Sequence, residues 1–194
     1  MTCKAVALVL AAGRSRRFGS DKRHHPLDAG RTLLQSSLAL PCALLEEVWL
    51  ALRDDDPPPA HLPAKVHIVQ SSRSRLGLGQ SIAASVECIS RASDADALVL
   101  LLGDMPFIQP GTLATLLAHA SREGICRPAF QGRPGHPVVF GRALWPELAR
   151  LEGDQGARAV LQAHPSQVLT LAVDDPGVLL DIDHPSDLPG PDRV

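Results

Sequence analysis

The feature of this sequence that most restricts its fold is a series of short apolar segments separated by amphipathic ones. Residues 97–102 read Ala-Leu-Val-Leu-Leu-Leu, and residues 4–10 read Lys-Ala-Val-Ala-Leu-Val-Leu. Strands without polar alternation are typical of parallel sheets, which helices cover on both faces. Further strands are predicted at 46–52 and 65–69, and helices at 32–40, 80–89 and 112–120. This alternation predicts a three-layer α/β fold with a mostly parallel, mixed sheet.

The second half of the chain carries a different pattern, which we interpret as an extension of the same sheet with some antiparallel members. Pro41 is expected to end or kink the first helix, because proline lacks the amide hydrogen that a helix interior needs. A chain of 194 residues fits one domain. We predict that domain over residues 1–188 and a flexible tail at 189–194. The added strands are predicted at 124–130, 137–140, 168–173 and 178–183, and the added helices at 144–151 and 156–163.

The composition argues against several classes of protein. The net charge is −2 and only 3% of the residues are aromatic, with no tyrosine, so the chain offers few rings for stacking nucleobases and we expect no nucleic-acid partner. The apolar run at 5–12 is shorter than the roughly 20 residues that span a bilayer, so we expect no membrane association. The cysteines lack Cys-x-x-Cys spacing, which predicts free thiols and a cytoplasmic location; they are Cys3, Cys42, Cys88 and Cys126.

A small and basic loop follows the first predicted strand. Residues 10–22 read Leu-Ala-Ala-Gly-Arg-Ser-Arg-Arg-Phe-Gly-Ser-Asp-Lys. Small residues at 11–13 let a ligand approach the backbone, whose amides suit an anion, and the arginines with Lys22 add positive charge. The spacing fits neither a Walker A loop nor Gly-x-Gly-x-x-Gly. A basic surface loop is the alternative, but ligands of open α/β sheets lie at the carboxyl ends of strands, which favours phosphate binding.

A carboxylate ends another strand of the predicted sheet. Asp104 stands in Gly-Asp-Met-Pro directly after the apolar run at 97–102. At this edge of the sheet it is suited to hold Mg²⁺ on nucleotide phosphates. Alone, it is equally well explained as a cap of the turn or of the next helix. The basic loop nearby favours the metal.

Five motifs together resemble one family. They are Leu-Ala-Ala-Gly-x-Ser-x-Arg-Phe-Gly-x-x-Lys at 10–22, Gly-Asp-Met-Pro at 103–106, Arg-Pro-Gly-His-Pro-Val at 133–138, Gly-Asp-Gln-Gly-Ala-Arg at 153–158 and Leu-Asp-Ile-Asp-His-Pro-Ser-Asp-Leu at 180–188. In this order they resemble the MobA-like nucleotidyltransferases, and within them the molybdenum cofactor cytidylyltransferases. The resemblance implies a Rossmann-like nucleotidyltransferase fold. It also implies transfer of a nucleoside monophosphate from an NTP to a phosphorylated acceptor, with release of pyrophosphate.

The resemblance also implies roles for individual residues. Lys22, Arg17 and Asp104 are expected to be catalytic, the first two by stabilising charge on the phosphates. Mg²⁺ is the expected cofactor, on Asp104 and a second carboxylate. Asp181 and Asp183, in the strand predicted at 178–183, are the candidates for this second carboxylate; we expect one of them to share the metal, and by similarity to related transferases we choose Asp183. The predicted nucleotide-binding residues are Leu10, Ala11, Ala12, Gly13, Arg14, Ser15, Lys22 and Ser81.

The acceptor is expected to contact His136, Asp154 and Arg158. A lone histidine is more typical of a structural, hydrogen-bonded residue, but the family's Gly-His-Pro signature shifts His136 toward acceptor binding. Asp154 suits the N-cap of the helix predicted at 156–163, and that same helix start with Arg158 suits an anionic acceptor; both interpretations stay open. Ser81 is likewise a base or ribose contact, or a simple N-cap.

Three further segments allow more than one interpretation of their function. Gly77-Leu78-Gly79 imitates a dinucleotide fingerprint, but Ile82 takes the place of its third glycine. Residues 54–56 are three aspartates before three prolines, which we interpret as a solvated loop without a role. After Lys22 the family usually continues with apolar residues, whereas this chain has Arg-His-His at 23–25. Adjacent histidines diverge and do not suggest a metal site, but this change leaves a different phosphorylated acceptor open.

The resemblance therefore predicts Mg²⁺-dependent transfer of CMP from CTP to the phosphate of a molybdopterin-type cofactor. A methyl group at Ala12 would crowd a purine and favour the smaller pyrimidine. The alternatives are a guanylyltransferase, another phosphorylated acceptor, or a non-catalytic carrier of the cofactor. A molybdoenzyme or its maturation chaperone is a candidate partner. A nicotinamide-dependent oxidoreductase ranks lower, because the first βαβ unit lacks the third glycine and an acidic ribose ligand.

Overall fold

A computed structural model describes residues 3–15, 17–28 and 30–188. The tail predicted at 189–194 lies outside the described residues. The strands within them are β1 (Ala5–Leu10), β2 (Pro26–Asp28), β3 (Arg31–Thr32), β4 (Val48–Arg53), β5 (Val66–Ser71), β6 (Ala97–Leu102), β7 (Ile125–Phe130), β8 (Arg133–Pro134), β9 (Val138–Gly141) and β10 (Val168–Ala172). The α-helices are α1 (Leu33–Leu44), α2 (Leu78–Ala92), α3 (Pro110–Ala118), α4 (Trp145–Leu148) and α5 (Arg158–Ala163).

The main sheet is mixed and mostly parallel, as predicted. Its strands run in the order β10, β7, β9, β6, β1, β4, β5, and β8 pairs with β7. Strand β1 is parallel to β4 and β6, β4 is parallel to β5, and β10 is parallel to β7. Strand β9 runs antiparallel to both of its neighbours, β6 and β7. Strands β2 and β3 form a separate antiparallel hairpin, which the sequence analysis did not predict.

Helices cover both faces of this sheet, which explains the unbroken apolar runs. Along β1, Val6 and Leu8 belong to one core cluster with residues of α2, α4 and α5. Ala7 and Val9 belong to the other cluster, with residues of α1 and α3. Successive residues of a strand point to opposite faces, so a strand buried on both must be apolar throughout. The predicted three-layer architecture is confirmed.

The strand predicted at 178–183 does not form. A 3-10 helix spans Pro176–Leu179 instead, and the following residues are irregular. Asp175 is buried and accepts hydrogen bonds from the Gly177 amide at 2.9 Å and from the Thr112 hydroxyl at 2.7 Å. This Asx turn competes with a sheet ladder for the backbone. The Ile182 amide then donates to the Asp104 carbonyl at 3.0 Å, which lays the segment across the carboxyl edge of the sheet.

Helix α1 does not end at Pro41, contrary to one of the two expected outcomes. It begins with a capping box in which Thr32 and Gln35 satisfy each other's amides, and it continues past Pro41 to Leu44. The helix continues past Pro41 for about one turn, and the Leu45 amide closes this turn on the Pro41 carbonyl at 2.9 Å. Within the described part of the chain, no helix is long and apolar enough to cross a bilayer.

Candidate active site

The loops that follow β1 and β6 meet at the carboxyl edge of the sheet. Leu10 and Leu102 are in register on the two strands, and the Gly103 amide donates to the Leu10 carbonyl at 2.9 Å. A Cβ atom at Gly103 would lie 3.0 Å from the Ala11 Cβ and 3.0 Å from the Leu10 carbonyl oxygen. Glycine at 103 therefore permits the close approach that brings Asp104 beside the basic loop.

A cleft of about 610 Å³ opens at this meeting point. Every residue predicted to bind nucleotide borders it, together with Arg17, Asp104, Asp154 and Asp183. Of the predicted residues that the structure describes, His136 and Arg158 do not line it. The remaining lining residues come from the loop before α2 and from Arg23, Leu102 and Gly103. The structure thus brings the basic loop, the carboxylates and one of the three acceptor candidates into one cavity.

Lys22 lies at the centre of the charged groups in this cleft. Its Nζ donates to Asp104 Oδ2 at 2.8 Å, to the Ile182 carbonyl at 2.7 Å and to Asp183 Oδ1 at 2.9 Å. Burial lowers the pKa of Lys22, but the hydrogen bonds and charges of Asp104 and Asp183 more than compensate and raise it above its ordinary value. The same bond from Lys22 holds the pKa of Asp183 below its usual range. Lys22 is therefore a fixed positive charge.

The donor atoms around Lys22 suit a hard divalent cation. Asp104 Oδ1 is buried and has no hydrogen-bond partner among the described residues. Carboxylate and carbonyl oxygens are the ligands that Mg²⁺ prefers, and it commonly takes only one or two carboxylates from the protein, with phosphate and water completing its shell. No cluster of three or more His, Cys, Asp or Glu side chains with metal-site geometry occurs in the described ranges. The site therefore fits a cation shared with a phosphorylated substrate, held by Asp104 and Asp183.

Asp183 lies beside Lys22, but the geometry differs from the one expected. No strand forms at 178–183, and in the irregular segment that replaces it Asp183 borders the cleft. Asp183 also accepts a 2.7 Å hydrogen bond from Arg17, whose side chain is 71% exposed. Asp181 is exposed and lies outside the cleft lining. Arg17 is thus a mobile charge at the rim, in contrast to the fixed Lys22.

The opposite wall of the cleft forms where the start of α2 packs against residues 152–154. A Cβ atom at Gly77 would lie 2.5 Å from Asp154 Oδ1, and one at Gly79 would lie 2.7 Å from the Glu152 carbonyl oxygen. The Gly79 amide donates to the Gly153 carbonyl at 2.8 Å. The Gly-x-Gly pattern therefore serves close packing between two loops, and this packing places Asp154 on the cleft.

Two N-cap interpretations are wrong. Helix α2 begins at Leu78 with Gly77 as its N-cap, so Ser81 lies inside the first turns, buried and on the cleft. Helix α5 begins at Arg158 with Ala157 as its N-cap, so Asp154 caps nothing there. The helix begins two residues later than predicted, because Gly156 takes a φ of 57° that a helix excludes.

His136 lies near Asp104 but outside the cleft lining. Its amide donates to the Val178 carbonyl at 2.9 Å, and its Nδ1 is buried without a hydrogen-bond partner among the described residues. Burial lowers the pKa of His136, and the charges of Asp104 and Asp181 oppose that shift. The ring is therefore kept neutral near pH 7.

The sequence analysis missed two buried residues under the basic loop. Arg23 is 6% exposed and Asp56 is 7% exposed, and they form a salt bridge. The interpretation of residues 54–56 as a solvated loop without a role is thus wrong for Asp56. The signal that was available is the departure after Lys22, where a charged residue replaces the usual apolar one. His24 is exposed, and His25 packs edge-on against Phe18, so neither lies in a metal site.

Comparison with known proteins agrees with this geometry. The profile of the MobA-like NTP transferase domain matches residues 7–174, which includes the basic loop and Asp104. The chain belongs to this family. The purine catabolism protein PucB of Bacillus subtilis is 31% identical to this chain, and the alignment covers 94% of this chain and 93% of PucB. A probable molybdenum cofactor guanylyltransferase of Chloroflexus aggregans is 34% identical over 56% of this chain and 50% of that protein.

Solved structures of similar proteins share this fold over nearly the whole chain. The crystal structure of Rv0371c from Mycobacterium tuberculosis H37Rv has a TM-score of 0.77 and 30% identity, and the alignment covers 95% of each chain. A structure of Rv0371c in complex with manganese has a TM-score of 0.74 and 26% identity, over 96% of each chain. Divalent metal binding by that relative is compatible with the oxygen donors of Asp104 and Asp183 described above.

Proposed function

We propose that this nucleotidyltransferase moves CMP from CTP to the phosphate of a molybdopterin-type cofactor and releases pyrophosphate, with Mg²⁺ as its metal. The observation that carries the proposal is the arrangement of Lys22 between Asp104 and Asp183 at the mouth of the small, basic loop. It supplies fixed positive charge and metal-binding oxygens at the place where a triphosphate on that loop would lie.

In the proposed reaction, a phosphate oxygen of the acceptor attacks the α-phosphorus of CTP in line. The bond between that phosphorus and the oxygen bridging to the β-phosphate breaks, and the bond electrons leave with pyrophosphate. Negative charge grows on the equatorial oxygens and on the leaving group, where Lys22 and Arg17 stabilise it. No general base is needed, because the acceptor phosphate is already ionised at neutral pH.

A divalent cation on Asp104 and Asp183 would add charge stabilisation and orientation for the phosphates. The Lys22 ammonium already contacts both of these carboxylates. A cation held by Asp104 and Asp183 would weaken their attraction for Lys22, and the Lys22 donors would then be available to phosphate oxygens. Arg17, exposed at the rim, also contacts Asp183, so a cation there would release it toward the departing pyrophosphate in the same way.

The choice of CTP rests on Ala12, whose methyl group lies in the cleft lining. A 2-C-methyl-D-erythritol 4-phosphate cytidylyltransferase of Deinococcus radiodurans is 28% identical over 91% of this chain and 76% of that protein. GTP is the second candidate, because of the guanylyltransferase relative. If the methyl group excludes purines, Ala12→Gly gains GTP-dependent turnover while keeping most of its CTP activity. A variant that stays inactive with GTP counts against this steric explanation.

The acceptor side is proposed to include His136, Asp154 and Arg158. Asp154 borders the cleft opposite the basic loop. His136 lies close enough to Asp104 for the carboxylate charge to oppose the lowering of the His136 pKa by burial. Arg158 is exposed at the start of α5. These roles, the cytoplasmic location and a molybdoenzyme or chaperone partner all stay predictions.

The first experiment measures thermal stability of the protein with Mg²⁺ and each of CTP, GTP, ATP and UTP. A ligand at about 100 times its dissociation constant adds roughly 2.7 kcal/mol to the native state. Selective stabilisation by CTP supports the proposal, and selectivity for GTP supports the second candidate. Release of pyrophosphate only in the presence of acceptor then distinguishes an enzyme from a carrier. Asp104→Asn is the control variant for the contribution of Mg²⁺, since it keeps the side-chain shape and removes the metal-binding charge.

A further inference from the structure

Arg23 is a buried charged residue directly after Lys22, and all five of its N–H groups are engaged. Its Nε donates to Asp21 Oδ1 at 2.8 Å, and its Nη1 donates to the Ala11 carbonyl at 3.1 Å and to Asp56. Its Nη2 donates to Asp56 Oδ1 at 2.8 Å and to Asp21. A guanidinium group has five N–H donors in a fixed planar arrangement. Arg23 borders the cleft, but it has no donor left for a ligand.

We propose that Arg23 is a positioning residue for nucleotide binding, acting through the backbone of the basic loop. The Ala11 carbonyl accepts the bond from Arg23, while the Ala11 amide donates to the Ala51 carbonyl of β4 at 3.0 Å. Both peptide groups of Ala11 are thereby held. This inference rests on the proposed function, since it assumes that residues 11–13 bind the nucleotide.

The planarity of the peptide bond transmits the effect of Arg23 to the ligand side. The Ala11 carbonyl and the Ala12 amide belong to one rigid trans unit, in which the C=O and N–H bonds point in opposite directions. Holding the carbonyl on Arg23 therefore directs the Ala12 N–H away from Arg23. Backbone amides of this loop are the groups expected to meet an anionic ligand, so a fixed carbonyl means a preorganised donor.

Arg23 is itself held by groups on both sides. Asp56, in the loop after β4, contacts Arg23 and also accepts from the Arg53 amide at 3.0 Å and from Arg53 Nε at 2.9 Å. Two arginines and two aspartates balance in charge, as a buried ionic cluster requires. Burial lowers the pKa of Arg23, and Asp21 and Asp56 raise it above its ordinary value overall. The guanidinium is therefore permanently charged and fixed in orientation.

Arg53 offers a matched control. It shares Asp56 with Arg23, and its Nη2 lies 3.5 Å from Asp21 Oδ2. The hydrogen bonds described for Arg53 go to Asp56 and not to Ala11. Replacement of either arginine by lysine preserves the charge and removes the planar array of donors. Only the Arg23 replacement removes the bond to the loop that is proposed to bind nucleotide.

The test compares Arg23→Lys with Arg53→Lys in the full chain. Calorimetric titration with CTP and Mg²⁺ is expected to show a dissociation constant about tenfold higher for Arg23→Lys, the size of effect expected from one hydrogen bond of a charged donor. Arg53→Lys is expected to stay within about twofold of the wild type. Without nucleotide, hydrogen exchange of the Ala11 amide, which donates to the Ala51 carbonyl, is expected to be about tenfold faster only in Arg23→Lys.

A second variant keeps the test sound if Arg23→Lys does not fold. Arg23→Met combined with Asp56→Asn removes one charge of each sign, so no uncompensated charge is created at this pair. This double variant is expected to show the same weak CTP binding and fast exchange as Arg23→Lys. Unchanged exchange of the Ala11 amide in the variant that folds overturns the proposal, as does unchanged CTP affinity. A wild-type protein that binds none of the four nucleotides overturns the proposed function, whereas the exchange measurement, made without nucleotide, still tests the hold on Ala11.

Discussion

At the residue scale, Lys22 and the proposed divalent cation would compete for the carboxylates of Asp104 and Asp183. The ammonium group fills the space between Asp104 and Asp183 with a side chain only 12% exposed. Two positive charges within a few ångströms repel each other in this partly buried site. The lysine therefore neutralises the carboxylates when no substrate is bound, and it also opposes binding of a free metal ion.

This competition predicts an unusual response to loss of a lysine. Lys22→Met is expected to bind Mn²⁺ about tenfold more tightly than the wild type in the absence of nucleotide, by electron paramagnetic resonance. Its turnover is expected to fall by roughly 10² to 10³, the loss that follows removal of one preorganised charge stabiliser. Lys65→Met is the control, because Lys65 donates to the carbonyls of Cys42 and Leu45 instead. Weaker Mn²⁺ binding by Lys22→Met would contradict the competition.

At the element scale, the sheet was predictable because strands that are buried on both faces are apolar throughout, as β1 and β6 are. The same reasoning failed at 178–183, where Asp175 binds local amides and makes a 3-10 turn more favourable than a strand. It also failed at Asp56, because one of the two arginines that bind this carboxylate, Arg23, is 33 residues away in sequence. Hydrophobic periodicity reports which face is covered, and polar networks between distant segments leave no periodic pattern.

The contact between α2 and residues 152–154 gives a prediction for one glycine. A Cβ atom at Gly79 would meet two backbone oxygens at 2.7 and 2.9 Å, and backbone cannot easily move aside. Gly79→Ala is therefore expected to lower the free energy of unfolding by roughly 1 to 3 kcal/mol and to weaken CTP binding by shifting Asp154. Gly111, the second residue of α3, has nothing within 4 Å of its Cβ position.

Gly111→Ala is the matched control for this prediction, since both glycines occupy the second position of an α-helix. It is expected to be neutral or to stabilise the protein by up to about 1 kcal/mol, because alanine restricts the unfolded chain. Urea denaturation of both variants measures the difference. Equal free energies of unfolding for Gly79→Ala and Gly111→Ala would show that the start of α2 and residues 152–154 separate at no cost. The explanation of the Gly-x-Gly pattern would then fail.

At the scale of the whole molecule, acid is expected to unfold this protein through its arginine-bound carboxylates. The bond from Arg23 holds the pKa of Asp21 below its usual value of 3.8. Burial raises the pKa of Asp56, but Arg23 and Arg53 lower it well below that value. Below pH 4 the unfolded chain therefore binds protons that the native state does not, so stability is present above this pH and is lost as the pH falls. With 19 lysines and arginines and 8 histidines, the protonated chain also repels itself.

The free energy of unfolding, measured by urea titration between pH 2 and pH 7, is expected to fall most steeply below pH 4. Asp56→Asn removes one of the responsible carboxyls, so it should be less stable than the wild type at pH 7 and lose stability more gradually in acid. The difference in slope approaches one bound proton, about 1.4 kcal/mol per pH unit. Asp174→Asn, at an exposed position, should keep the wild-type slope. Parallel curves for wild type and Asp56→Asn would mean that the buried cluster under the basic loop does not control acid stability.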